Sequence, residues 1–475
     1  MNDFIIIQII YHIFLVKSRE NRLFCFDFAR IFHKRGIKMI IHIVKSGETL
    51  YSIANLYGAD PSVLAFDNDI ANPLKLPVGQ PVAVVFPTAT HRVSAGETLL
   101  SIAESYGVSV NDLYRNNLFL NGRPQISVGQ VLNIEIEREL LGSFSTGGYA
   151  YPFINETLLR RALPFMGALM PFTYGFRTDG TLISPDDGEM LRICADYFTE
   201  PVMHLSTLTE NDNFSVELAE ALFASPEAQS RLLDEVILNM QTKGYTALDV
   251  DFEFLGRENA VKYADFVAYC RERLRPYGFG VMTALAPKTS DDQTGALYEG
   301  HDYSLLGQAA DAVLLMTYEW GYTYGPPMAV SPIKPVADVV DYALTRIPAE
   351  KILLGISNYG YDFTLPYTQG VSQAPSVSTR QAFSLAAEYG AEIFYDETVS
   401  APYFDYTAEG KSHRVWFEDV RSISARLRLM AEKKLRGALW WNLNRENNQS
   451  LIAINNLIDG ETLNLFSADG QNQSF

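Results

Sequence analysis

Thr246-Ala-Leu-Asp-Val-Asp-Phe-Glu253 alternates apolar and acidic side chains. Along a strand successive side chains point to opposite faces, so Asp249, Asp251 and Glu253 share one face while Leu248, Val250 and Phe252 take the other. Like charges in such a row raise one another's pKa, which lets one carboxyl stay protonated near neutrality and act as an acid. A half-exposed strand with an acidic solvent face is the plainer reading, but Asp is disfavoured in strands and two in one short run need a reason. A hard-metal site is the third, and nothing nearby supplies the rest of an oxygen cage at loop spacing. The row is read as catalytic.

Outward from this row, apolar strands alternate with amphipathic helices from Ser143 onward, the pattern of a parallel α/β fold. Eight strands are expected, over 147–154, 168–174, 201–208, 246–255, 280–286, 312–318, 352–359 and 437–443. With intervening helices such as 226–243 and 259–275 they suit a (β/α)8 TIM barrel over 143–475. A small insertion is expected before the last strand, where 393–416 reads as two short strands with turns.

Length and composition agree with this and exclude other classes. At 475 residues the chain holds a barrel plus small modules, and 47% hydrophobic residues with a mean hydropathy of -0.02 describe a globular protein with a large core. A formal net charge of -18 lacks the basic footprint that nucleic acid requires. Cys25, Cys194 and Cys270 have no metal-ligand spacing, and the last two, in helical patterns, are expected to be buried free thiols. No His-Glu-x-x-His pair is present, so no catalytic zinc is expected; no cofactor is expected either.

The region before the barrel contains a repeat. Val44-Lys-Ser-Gly-Glu-Thr-Leu-Tyr-Ser-Ile-Ala54 returns as Val93-Ser-Ala-Gly-Glu-Thr-Leu-Leu-Ser-Ile-Ala103, and each copy runs on through Tyr-Gly, an Asn and a closing Val-Gly-Gln. Two β-α-α-β units are expected, at 41–86 and 90–136, joined by a short linker at 87–90 and followed by a second joint near 137–142. Both copies resemble LysM modules, which implies binding of N-acetylglucosamine-containing glycans, with avidity from the tandem. Residues 1–38 have an apolar run too short for a membrane span and lack a convincing signal-peptide pattern. Translation is expected to begin at Met39, leaving 1–38 as a doubtful extension.

At the barrel mouth, where catalytic residues of this architecture gather, the strand ends offer aromatic and polar groups. Tyr149 and Tyr151 end the first strand, Met316 and Tyr318 the sixth, Asn358 and Tyr359 the seventh, and Trp440 and Trp441 the eighth. Aromatic rings around carboxyls suit a saccharide. Met316 and one of the two tryptophans are expected to fill the core instead.

The acidic row resembles the Asp-x-x-Asp-x-Asp-x-Glu signature of glycoside hydrolase family 18, with Thr246 in place of the first Asp. That resemblance implies Glu253 as the acid, Asp251 as the residue that holds the substrate acetamide, and Asp249 as its partner in a shared proton. The substrate's own N-acetyl carbonyl is then the nucleophile. Tyr318, in Met316-Thr-Tyr-Glu319, matches the family's Met-x-Tyr-Asp and would orient the acetamide, Glu319 standing where Asp is usual. Trp441 matches the tryptophan that floors the sugar site. Segments 358–367, 393–397, 401–406 and 413–422 narrow the likeness to the LysM-bearing spore-cortex glycosylases of endospore-forming bacteria. The resemblance thus implies a peptidoglycan N-acetylglucosaminidase associated with spore coat, cortex or cell wall, without a nucleic-acid or membrane partner. A chitinase and a non-catalytic glycan-binding coat protein are the competing readings.

Overall fold

The computed structural model describes residues 38–208 and 213–466. Cys25 and, Lys38 apart, the expected extension before Met39 lie outside the described residues. Eight parallel strands close into a barrel: β1 Gly142–Ala150, β2 Ala168–Pro171, β3 Glu200–Ser206, β4 Ala247–Asp251, β5 Gly280–Leu285, β6 Ala312–Leu315, β7 Ile352–Ser357 and β8 Gly437–Trp441. Pairing of β8 with β1, Gly437 opposite Ser145, completes the ring. A further strand, Ile458–Glu461, adds parallel to the start of β1.

Strands buried on both faces need apolar residues at successive positions, and Ile352-Leu-Leu-Gly-Ile-Ser357 is buried throughout. Met170, Val202, Met282, Leu314 and Leu439 fill the barrel interior. The outward side chains meet helices such as Pro226–Lys243 and Ala260–Leu274. Cys194 and Cys270 sit in this outer layer as buried free thiols, with burial pushing both up. Among the described residues no helix is long and apolar enough to cross a membrane.

The insertion is larger than expected. It begins directly after β7 and forms a five-stranded antiparallel sheet from Tyr359–Leu365, Ser376–Ser378, Phe394–Asp396, Ala401–Ala408 and Lys411–Trp416, with helix Thr379–Tyr389. Tyr361 pairs with Trp416 and Leu365 with Ser412, so the first long strand finds its partner some fifty residues on. Such a pairing leaves no local signature, which is why the first half of the sheet is invisible in the pattern of 393–416.

Each N-terminal module is a strand, two helices and a return strand. In the first, Ile40–Ile43 pairs antiparallel with Pro81–Val84. Thr49 caps helix Leu50–Tyr57 in a reciprocal box with Ser52, and Gly58 ends it at φ 68°. Thr98, Ser101 and Gly107 repeat this around Leu99–Tyr106. The expected linker 87–90 does not exist as one: it belongs to strand Pro87–Arg92 of the second module, paired with Val131–Ile136. Gly79 and Gly129, from the two Val-Gly-Gln ends, take φ +83° and +86°, where a side chain would be strained. Gly79 has a second reason, since a Cβ there would collide with the Ile393 carbonyl.

Both modules dock on the barrel through helix Asn448–Leu457, which is buried along its whole length. Gln449 Nε2 donates to Asn68 Oδ1 at 3.1 Å and to the Pro81 carbonyl at 2.9 Å, and Asn448 N donates to Asp69 Oδ2 at 2.7 Å. Asn455 Nδ2 reaches the Arg115 carbonyl and Asn116 Oδ1 of the second module.

Candidate active site

β4 lies between β3 and β5, with Asp249 opposite His204 and Met282. Leu248 and Val250 point into the outer layer, so Asp249 and Asp251 point into the barrel. The strand ends at Asp251, and Glu253 follows on the loop at the mouth. Phe252 anchors that loop from outside. Its ring stacks on Tyr263 and Phe266 with centroids 5.5 Å away in each case, and its carbonyl meets His301 Nε2 at 2.9 Å.

Above the row opens a cleft of about 870 Å³. Asp251, Glu253, Tyr149, Tyr151, Tyr318, Glu319 and Trp441 line it, as the sequence leads one to expect. Asp249 lies one layer deeper and is fully buried; its Oδ2 accepts from the Tyr149 hydroxyl at 2.7 Å. Trp441 stands edge-on to Phe172 at 4.8 Å and faces Tyr149 and Tyr151 at 5.7 and 5.9 Å. Trp440, its neighbour, points away and donates from Nε1 to Ser450 Oγ at 2.9 Å. Met316, expected as core filler, is partly exposed on the cleft wall while also packing on the inner core.

Two expected residues are not brought to the cleft. Asn358 faces the other side of the seventh strand's end, with Nδ2 at 3.4 Å from the Arg445 carbonyl. Tyr359 is buried behind Glu319, to which it donates a short hydrogen bond; Tyr361 donates to the same carboxyl at 3.0 and 3.1 Å. The strand was expected to run to 359, but β7 ends at Ser357, and the insertion carries both residues off the barrel's inward alternation.

The electrostatics separate the carboxyls. Burial lifts Asp249 to about 6, with the His204 ring pulling it down and the Asp251 charge pushing it up. Burial, then the charge of Asp251, holds Glu253 well above the usual carboxylate range, which favours its protonated form. Burial raises Glu319 too, opposed by its two tyrosine donors. Tyr318 and Tyr149 are pushed well above the usual phenol value, first by burial and then by the neighbouring acids, so both are hydroxyl donors. The cleft therefore sets the raised carboxyl of Glu253 beside Asp251, with Asp249 behind, while among the described residues the remaining lining carboxyl, Glu319, accepts from two tyrosines. Such a site can protonate a leaving oxygen, and its aromatic walls suit flat C–H faces.

Several cleft residues escaped sequence reasoning: His204, Phe153, Phe172, Phe214, Tyr298, Trp320 and Tyr322. His204 was findable, because β3 was recognised and its alternation puts His204 inward opposite Asp249. The others sit beyond strand ends, where no periodicity orients a side chain.

Residues 206–446 match glycosyl hydrolases family 18, and residues 42–84 and 91–135 match the LysM domain. The cortical fragment-lytic enzyme of Bacillus subtilis (strain 168) is 40% identical over 412 residues, 85% of this chain and 95% of that protein. Among solved structures, the spore cortex-lytic enzyme SleL of Bacillus megaterium QM B1551 superposes with a TM-score of 0.74 at 33% identity, over 89% of this chain and 99% of the other. SleL of Bacillus cereus gives 0.74 at 35%, over 90% and 100%.

Proposed function

The chain belongs to glycosyl hydrolases family 18 and carries two LysM domains, and from this we propose that it cleaves N-acetylglucosaminyl bonds of spore-cortex peptidoglycan. The observation that carries the reading is the pairing of Glu253, its carboxyl raised by burial, with Asp251 in an aromatic cleft. Among the described residues no further lining carboxylate is free to serve as an enzyme nucleophile, since Glu319 is held by Tyr361 and Tyr359.

The route is substrate-assisted. Glu253 gives its proton to the glycosidic oxygen as the C–O bond breaks, and the substrate's acetamide oxygen closes onto the anomeric carbon. Asp251 accepts the acetamide N–H, and Asp249 shares the acidic burden behind it. The Tyr318 hydroxyl steers the acetamide oxygen, and Trp441 lies under the sugar ring. Water then attacks the anomeric carbon and breaks its bond to the acetamide oxygen, which restores the acetamide, while the Glu253 carboxylate takes the water's proton; the two displacements return the starting configuration. The LysM modules hold the glycan, which places the protein at the spore cortex or cell wall.

Mass spectrometry of products from spore-cortex fragments, vegetative peptidoglycan and chitin oligomers tests this reading. Peptidoglycan fragments with N-acetylglucosamine at the reducing end are expected. Cleavage of chitin alone would make the protein a chitinase, and glycan binding without any product would make it a binding protein.

A further inference from the structure

His204 stands in the barrel interior with its ring wedged among groups from four strands. Its Nδ1 lies 2.7 Å from Thr173 Oγ1, just beyond β2, and that hydroxyl is itself 3.0 Å from both Ser206 Oγ and the Tyr174 carbonyl. The opposite edge, Nε2, points between the two aspartates, 3.4 Å from Asp251 Oδ2 and 3.8 Å from Asp249 Oδ2. Phe172 lies tilted against the ring at 4.7 Å, and Tyr149 meets it edge-on at 5.4 Å. The ring is thus locked by packing on its faces and by Thr173 at one nitrogen. The other nitrogen faces two groups that only accept, so it presents an N–H there rather than a lone pair. At these distances the contacts are electrostatic, not aligned hydrogen bonds.

We propose that His204 is a positioning residue of the acidic row: its N–H edge offsets the charge of Asp249 and Asp251 together, so that the proton the reaction needs stays on Glu253. The inference rests on the assignment of Glu253 as the acid. Three carboxyls in one row, Asp249 and Asp251 buried and Glu253 half-buried, resist ionising together, and without a counter-group the deepest, Asp249, competes for the proton. Burial pushes Asp249 up, and the His204 ring is the largest influence holding it down. Tyr149 is the other group aiding Asp249, through a hydrogen bond; Glu253 and Tyr318 face this space from the mouth, and Tyr263 and His301 feel the Asp251 charge from behind β4. His204 is almost fully buried and acts through the two aspartates, which makes it a positioning residue.

The test compares wild type with His204→Leu, which keeps much of the volume, and His204→Gln, which keeps an N–H near the ε position. Profiles of kcat/KM against pH on cortex fragments are expected to show the acidic limb of His204→Leu moved up by about one pH unit or more, with His204→Gln in between. A uniform loss at every pH with unmoved limbs would reduce His204 to packing and overturn the proposal. Urea unfolding from pH 4 to 8 is a readout independent of turnover. Asp249 is raised in the fold, so its contribution to stability is lost as pH rises through about 6. Removing the offset deepens that loss, so the deficit of His204→Leu should widen above about pH 6, and a constant deficit would overturn the proposal. If wild type cleaves no glycan, the glycosidase reading fails while the unfolding series still decides the role of His204.

Discussion

The molecule buries two groups of acidic side chains, and burial raises carboxyls in both. One is the row at the end of β4. The other lies where the first LysM module meets the barrel: Asp67 and Asp69, each lifted to about 7, with Glu446 and Arg161. Asp67 is raised by burial and then by the charge of Asp69, and Asp69 by burial and then by Glu446. Titration alone would mark both as functional. Geometry separates them. The β4 row opens on a cleft of about 870 Å³, with Glu253 on its wall. The interface group is closed over by a second domain, and Asp69 spends one oxygen on the backbone of helix Asn448–Leu457. Arg161 ties three regions together there, to Asn121 at 2.8 Å, to Glu446 at 3.0 Å and Asn448 at 2.9 Å, with its guanidinium 4.7 Å over the Phe66 ring. A raised carboxyl is thus a mark of burial, and becomes a mark of chemistry only where substrate can reach it.

The contrast can be broken by substitution. Glu253→Gln should lower kcat about a thousandfold while glycan binding and the melting temperature stay near wild type, because only the proton donor is lost. Retained turnover in a steady-state assay would remove Glu253 from its role. Arg161→Met should do the reverse, costing about 3 kcal/mol in urea unfolding with little change in kcat, because it strands buried acids away from the cleft. A comparable loss of kcat at full occupancy would show that the interface does reach the active site.

Asp67→Asn sharpens the comparison through pH. A group whose folded pKa is raised contributes stability that is present at low pH and lost as pH rises through the folded value, here from about 4 to 7. The variant cannot ionise, so it should match wild type near pH 4 and exceed it by about 4 kcal/mol at pH 8, read from denaturant midpoints. A gap of the opposite slope would mean that Asp67 is held as an anion. The smallest effect is expected at Glu319, which lines the cleft yet is capped from behind. Tyr361→Phe should cost about 1 kcal/mol of stability or less. If KM for cortex fragments rises as well, Glu319 contacts the sugar; an unchanged KM places it with the sealed class.

Much of the site was legible because a strand imposes a two-residue period. Once 246–253 is read as a strand, Asp249 and Asp251 must share a face, and the same rule separates Trp440 from Trp441. Asn358 and Tyr359 failed for the complementary reason. They were read as the end of a barrel strand, but the chain leaves the barrel at Ser357 to pair with residues some fifty positions later. The linker at 87–90 failed likewise, since Pro87–Arg92 becomes a strand only when Val131–Ile136 comes beside it.

The sequence by itself determined what depends on near neighbours along the chain: the repeat with its Thr caps and Gly ends, the alternation of strands and helices, and the identity of the acidic row. Local dihedral preferences and side-chain periodicity act over a few residues, and those are written in order. Only the tertiary structure decided what depends on residues far apart in sequence. It set His204 between two aspartates, placed Tyr359 and Tyr361 on Glu319, and closed Asp67 and Asp69 beneath a helix nearly four hundred residues away. Burial and the charge of a distant neighbour set the protonation of a carboxyl, and neither exists until the chain has folded.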